Sequence, residues 1–193
     1  FDPDSKSIIF PADGRHFAYQ NINENRGVFV KGQKFKLKEL FNSSKLAKNF
    51  EGGTLVLSRL CPTDYHRFHF PAAGIPSTSS LIYGALFSVS PIALRRNLSY
   101  LWQNKRMITE LETSRFGTIV TIDIGATNVG SISQTFTPGE KINRGDERGY
   151  FSFGGSSTIT LFEEGKITLA DDLVEQTFHQ TELYAPMGSL LGS

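Results

Sequence analysis

Gly154-Gly155-Ser156-Ser157 lies between strand-like flanks, with Phe151 and Phe153 before it and Thr158, Ile159, Leu161 and Phe162 after it. Two glycines and two serines are the usual signal of a hairpin turn. They also permit chemistry. Glycines reach backbone conformations closed to other residues, and here they can bring the Gly155 carbonyl onto the Ser156 hydroxyl, the geometry of an N→O acyl shift. A serine-hydrolase nucleophile elbow fits less well, because it needs G-x-S-x-G at a strand-to-helix turn and a strand follows here. The second chemically loaded stretch is DYHRFHFP, residues 64–71. As a strand it puts Asp64, His66, Phe68 and Phe70 on one face, and Tyr65, Arg67 and His69 on the other. Two readings are open: a core-edge histidine satisfied by an aspartate or a carbonyl, or an acid/base pair with pKa values shifted by aromatic burial. A metal site has little support, since His16 and His179 lie far off in sequence.

The elements that must position these groups are mostly strands. Sixteen Phe, 18 Gly and many short alternating runs indicate a β-rich fold. Runs 28–30, 35–37, 55–60, 65–70, 81–89, 107–112, 118–124, 129–136, 149–153 and 158–162 read as strands. Ser90-Pro91 reads as an N-cap followed by proline at the first helical position, opening a helix that reaches about Gln103. Shorter helical segments are expected at 38–42 and 171–178. In PGEKINRGDERGYF (138–151) glycines punctuate a polar hairpin, similar to those of barrel-sandwich hybrid folds. GATNVGS (125–131) is a glycine-spaced turn between apolar runs; it is not G-x-G-x-x-G and a strand follows it, which argues against a dinucleotide site.

Composition sets outer limits. With 193 residues and no long linker, the chain reads as a single domain spanning 1–193. A net charge of +1 gives no global field for nucleic acid. Locally, however, Arg95, Arg96, Lys105 and Arg106 form an acid-free patch, and Leu98, Tyr100, Leu101 and Trp102 are interleaved with it. That stretch is either core packing with a solvated edge or an interfacial helix on anionic lipid. Cys61 is the single cysteine, so no internal disulfide forms and an intracellular site is expected. No apolar run approaches the length of a membrane span, while the absence of an initial methionine leaves room for an upstream anchor.

Taken together, PADGR (11–15), DYHRFHFP (64–71), LFSVSPIALR (86–95), NKR (104–106), GATNVGSI (125–132) and GYFSFGGSST (149–158) resemble, in content and order, the phosphatidylserine decarboxylase family. The resemblance covers almost the whole chain. It implies a mainly β, β-rich α+β fold with a barrel-sandwich-hybrid-like core and a few short helices. It also implies a proenzyme that cleaves itself between Gly155 and Ser156 into a β chain, 1–155, and an α chain, 156–193, and turns Ser156 into a covalent pyruvoyl group with no metal required. That group would decarboxylate phosphatidylserine to phosphatidylethanolamine through a Schiff base. Carried over by position, Asp64 is the acid of the self-processing triad, and His66 and His69 are histidines near the pyruvoyl group. Tyr65, Arg95, Arg96, Arg106 and Trp102 are candidates for substrate or membrane contact. The place aligned with the triad histidine of many members is Phe116, so His66 or His69 substitutes, or Asp64 acts with less help. A peripheral position on the cytoplasmic face of the cell membrane follows from the resemblance, and a homodimer is compatible with it. The alternatives are a pyruvoyl decarboxylase of a free amino acid and a non-enzymatic barrel-sandwich binding module.

Overall fold

The computed structural model describes residues 2, 4, 6–24, 35–127, 131–152 and 156–193. The expected strand at 28–30, and the residues Gly154, Gly155 and 128–130 of the two glycine turns, lie outside the described residues. In chain order the strands are β1 (Ile8–Ile9), β2 (Gly14–Tyr19), β3 (Thr54–Leu60), β4 (Arg67–His69), β5 (Ile75–Pro76), β6 (Ser80–Ile82), β7 (Arg106–Thr113), β8 (Gly117–Ile124), β9 (Ile132–Gln134), β10 (Glu147–Phe151), β11 (Ser156–Phe162), β12 (Leu183–Ala185) and β13 (Leu190–Gly192). The helices are α1 (Leu37–Phe41), α2 (Ser44–Asn49), α3 (Pro91–Arg96), α4 (Tyr100–Gln103) and α5 (Asp171–Phe178).

One eight-stranded antiparallel sheet organises the molecule, in the order β12-β2-β3-β11-β8-β7-β5, with β6 also on β7. The strands β4-β10-β9 form a second sheet, and β1-β13 a third. No closed barrel forms among the described residues. Alternation sends every second side chain of the large sheet to one face. Leu55, Leu57, Val120, Ile122, Ile159 and Leu161 face the helices and pack with Leu40, Phe50, Leu94, Leu98 and Leu101. Ala18, Val56, Ile119 and Phe162 take the opposite face and pack with Phe10, Phe70, Leu173 and Leu191. At one end of the sheet a small cluster of Ala12, Leu60, Phe68 and Phe151 closes the gap to the second sheet. Each such buried aliphatic or aromatic side chain is worth about 1.5–3 kcal/mol. With both faces covered, all seven residues of β11 are buried, four of them serine or threonine.

Local chemistry accounts for where the elements begin and stop. Ser90 caps α3 by accepting the Ala93 amide, with Pro91 in the first turn, as the sequence indicates. The expected helix to Gln103 does not continue. Asn97 turns its side-chain oxygen onto the Ser99 amide and hydroxyl (3.0 and 2.6 Å), a local bond that competes with the helix, and α4 starts afresh at Tyr100. Phe35 and Lys36 lead into α1 instead of forming a strand. Of run 81–89 only the β6 portion is strand; Tyr83–Ser88 is an exposed strap. In the hairpin before β10, Gly145 sits at φ +86, and a Cβ on Gly149 would meet the Ser133 carbonyl at 2.2 Å, so both positions need glycine.

Candidate active site

Ser156 opens β11 directly opposite Leu60, the last residue of β3. It is fully buried, and its hydroxyl has no hydrogen-bond partner among the described residues; the same holds for Ser157. Buried polar groups are nearly always paired, and an unpaired one costs about 1–3 kcal/mol. Two such hydroxyls, and that of Thr160 further along, are uncommitted among the described residues of this central strand.

The chain leaves β3 through a turn built by Asp64. Its Oδ2 accepts the Cys61 amide at 2.7 Å, and the Asp64 amide donates to the Cys61 carbonyl at 2.9 Å. With Pro62 in between, this turn delays the strand until Arg67, so the single face of Asp64, His66, Phe68 and Phe70 does not form. Two cations press on the turn. Arg15 reaches Asp64 Oδ2 at 3.4 Å, and Arg15 and Arg59 each donate to Cys61 Sγ at 3.1 Å. Glu182 holds Arg59 from behind with two bonds of 2.8 and 2.6 Å. Burial opposes the charge on Arg59, and Glu182 more than restores it, leaving its pKa raised.

The two histidines leave opposite nitrogens without a partner among the described residues. His66 Nε2 lies 3.3 Å from the Pro62 carbonyl, which can only accept, so Nε2 carries the proton and buried Nδ1 is left bare. His69 donates from Nδ1 to the Gly145 carbonyl at 3.0 Å, leaving buried Nε2 bare, and stacks on Tyr65 at 6.0 Å. The His66 carbonyl accepts the Phe151 amide at 3.0 Å, which ties this segment to the chain running toward Ser156.

Other expected site residues are placed differently. Arg106 is buried, and its guanidinium donates to the carbonyls of Leu40, Glu39, Trp102 and Asn104. Burial lowers its pKa, and it is a core staple rather than a membrane or substrate contact. Leu98 and Leu101 are core residues, and Trp102 packs against the same core. Arg95 and Arg96 are exposed on α3, and Arg95 lines a cleft of about 360 Å³ with Arg15, Phe17 and Glu182. Phe116 sits beyond the other end of β8, whose Ile124 pairs with Ser157. At about 3.3 Å per residue, roughly 25 Å separates it from Ser156, so no side chain at that position could act on Ser156.

Sequence reasoning missed three groups that the topology brings here. Asp13 follows Ala12, which packs on Leu60, and its Oδ1 accepts the Met187 amide at 2.7 Å. Two residues earlier, the Pro11 carbonyl accepts the His69 amide at 2.7 Å, so PADGR and DYHRFHFP meet. His16 is fully buried, donating from Nε2 to the Ala185 carbonyl (3.2 Å) and accepting from Ser58 Oγ at Nδ1 (2.8 Å). Burial pushes its pKa down to about 4 against the pull of the Ala185 carbonyl and Asp64. Finally, Asp123 and Arg148 form a fully buried two-bond ion pair, Oδ1 to Nη2 at 2.8 Å, with Arg148 also on Thr158 Oγ1. Thr158 shares the face of Ser156, two residues along β11. Burial raises the Asp123 pKa, and Arg148 counters it. Only the motif PADGR hinted at any of these, because each depends on strand pairing across many residues.

A β-rich domain whose central strand opens on a buried serine without a hydrogen-bond partner among the described residues, across the sheet from the strand that leads into the Cys61–Asp64 turn, is the class that this geometry defines. The chain belongs to the phosphatidylserine decarboxylase family, whose model matches residues 1–191. It is 45% identical over 192 residues to a phosphatidylserine decarboxylase proenzyme of Fusobacterium nucleatum, covering 100% of this chain and 64% of that protein. Proteins of the same name from Clostridium perfringens (45% over 186 residues; 96% and 63%) and Desulfitobacterium hafniense (45% over 191 residues; 99% and 64%) are similar to it. The chain thus spans just under two thirds of the length of these curated relatives.

Proposed function

We propose that this chain is the self-processing decarboxylase portion of a phosphatidylserine decarboxylase. The observation that carries the reading is the Ser156 hydroxyl, buried without a partner among the described residues, across the sheet from the strand that leads into the Cys61–Asp64 turn. In self-processing, Ser156 Oγ attacks the Gly155 carbonyl carbon. The peptide C–N bond breaks as the ester C–O bond forms, and the serine proton passes to a nearby base. His66 Nδ1 and His69 Nε2 are bare imidazole nitrogens suited to that proton. Asp64, in the turn, and Asp13, two residues after the Pro11 carbonyl that accepts the His69 amide, are the carboxylates that the fold brings to this region.

Residue 156 fits a covalent pyruvoyl group, because its side chain makes no hydrogen bond among the described residues that its conversion would break. Such a group supplies an electrophilic ketone and an electron sink for loss of CO₂ from an amino acid headgroup. The protein's own part is to exclude water at the buried head of β11 and to hold a proton on His66 or His69 for return to the substrate carbon. Phosphatidylserine at a membrane surface is the proposed substrate, met from the cytoplasmic face as a peripheral protein. No helix among the described residues is long and apolar enough to cross a membrane.

Intact mass under denaturing conditions tests the reading. Wild type should resolve into chains ending at Gly155 and beginning at residue 156, the second reactive toward hydroxylamine, and Ser156→Ala should stay whole. An uncleaved chain that releases CO₂ from phosphatidylserine would overturn it.

A further inference from the structure

Between β6 and α3 the strap Tyr83–Ser88 is held mainly by its backbone, with Phe87 also stacked on Tyr100 at 4.6 Å. Ala85 exchanges hydrogen bonds with Gln103 and Lys105, and Asn104, itself fully buried, clamps the Phe87 amide (2.9 Å) and carbonyl (2.7 Å). The same Asn104 amide donates to the Gly125 carbonyl at 2.8 Å, and Thr127 donates to the Leu86 carbonyl at 3.1 Å. Gly125 follows Ile124, the cross-strand partner of Ser157. The strap is therefore stapled to the end of the sheet where Ser156 lies.

Its side chains remain largely open to solvent. Every residue from 83 to 88 is exposed, including Tyr83 (83%), Leu86 and Phe87, and Ile92 on α3 follows at 69%. Arg95 and Arg96 stand three and four positions after Ile92, on the same helix face, and both are exposed. From 83 to 109 the sequence contains no acidic residue. A fixed apolar ridge flanked by two exposed arginines, with the one carboxylate of the cleft beside Arg95, Glu182, already paired to Arg59, matches an anionic lipid surface better than a neutral protein groove.

We infer that the strap 83–88, with Ile92, Arg95 and Arg96, is the surface by which this protein docks on an anionic bilayer, apolar side chains entering the headgroup layer and arginines meeting phosphates. This rests on the reading of Ser156 as a lipid-processing centre, and it replaces the continuous 91–103 helix expected from the sequence. The strap's staple then serves a purpose: it sets the distance between the lipid surface and the head of β11.

The test is sedimentation of the complete protein with phosphatidylcholine vesicles, with and without phosphatidylglycerol. Neither lipid is a substrate, so binding is read independently of cleavage and turnover. Tyr83→Ser/Ile92→Ser should weaken partitioning onto anionic vesicles by about tenfold. Arg95→Glu/Arg96→Glu should do the same and remove the salt dependence. Val174→Ser/Phe178→Ser, on the exposed side of α5, should change nothing. Self-cleavage should proceed normally in all three, showing that they fold. Wild type that ignores anionic vesicles, strap variants that bind as tightly as wild type, or strap variants that change the oligomeric mass instead would each overturn the inference.

Discussion

The carboxylate of Asp64 accepts the backbone amide of Cys61 at 2.7 Å, and Cys61 follows directly on Leu60, the partner of Ser156 across the sheet. One side chain thereby shapes the turn by which the chain leaves β3, directly after the residue that faces the proposed nucleophile. Asp64→Asn separates that role from its charge, since an amide oxygen still accepts the Cys61 N–H. If the charge matters, self-cleavage slows on the order of 10²-fold with the melting temperature little changed. Unchanged cleavage would confine Asp64 to the turn, and Asp13→Asn, assayed alongside, would then be the slow variant.

Phe116→His puts at this position the histidine that the sequence resemblance leads one to expect before Gly117, at the far end of β8 from Ser156. Cleavage half-time should be unaffected, while stability falls because an imidazole replaces a phenyl ring in a core with Phe162 and Leu173. Faster cleavage would mean that the strand pairing of β8 with β11 is wrong.

His16 makes stability depend on pH. Its pKa is held near 4 in the fold against an unfolded value of 6.5, so the unfolded chain binds the extra proton between those values. The contribution is fully present above pH 6.5, is lost as pH falls toward about 4, and amounts to roughly 3 kcal/mol. Urea titrations across this window should show wild type weakening on acidification. His16→Gln, which cannot titrate, should show a shallower slope; equal slopes would refute the assignment.

Arg148→Met should destabilise the fold by roughly 3–5 kcal/mol, because it strands the Asp123 carboxylate in the sheet. The double variant Asp123→Leu/Arg148→Met should recover most of that loss. A double variant that folds but cleaves slowly would assign the pair to positioning β11, and one that cleaves normally would make it purely structural.

How legible the molecule was follows from the range of the interactions. Strands β3, β7, β8 and β11 and helices α1 and α5 were readable because alternation and short-range patterning specify them. The Ser90 cap was readable for the same reason. The split at Asn97 was not, since it depends on one side chain folding back on the Ser99 amide. Arg106 looked like a surface cation because only the assembled fold shows four carbonyls around it. β2 escaped notice because it is covered on both faces, and with it went His16 and the approach of Asp13. Ser156, His66 and His69 were nameable from spacing and family resemblance, whereas the free nitrogen on each histidine required the structure.

The strands after residue 155 have a consequence for how such a protein must be made. β11 is bonded to β3 and β8, β12 to β2, and β13 to β1, so every one of them is knitted to partners that precede the cut and none to another. A break before Ser156 would thus leave the short fragment woven through the longer one, separable only by unravelling the whole sheet. Such a scission would be irreversible in a topological sense as well as a chemical one: folding would have to be finished while the polypeptide is continuous, and two pieces synthesised apart would have to thread a central strand between β3 and β8. Such a molecule would carry a record of its own order of assembly.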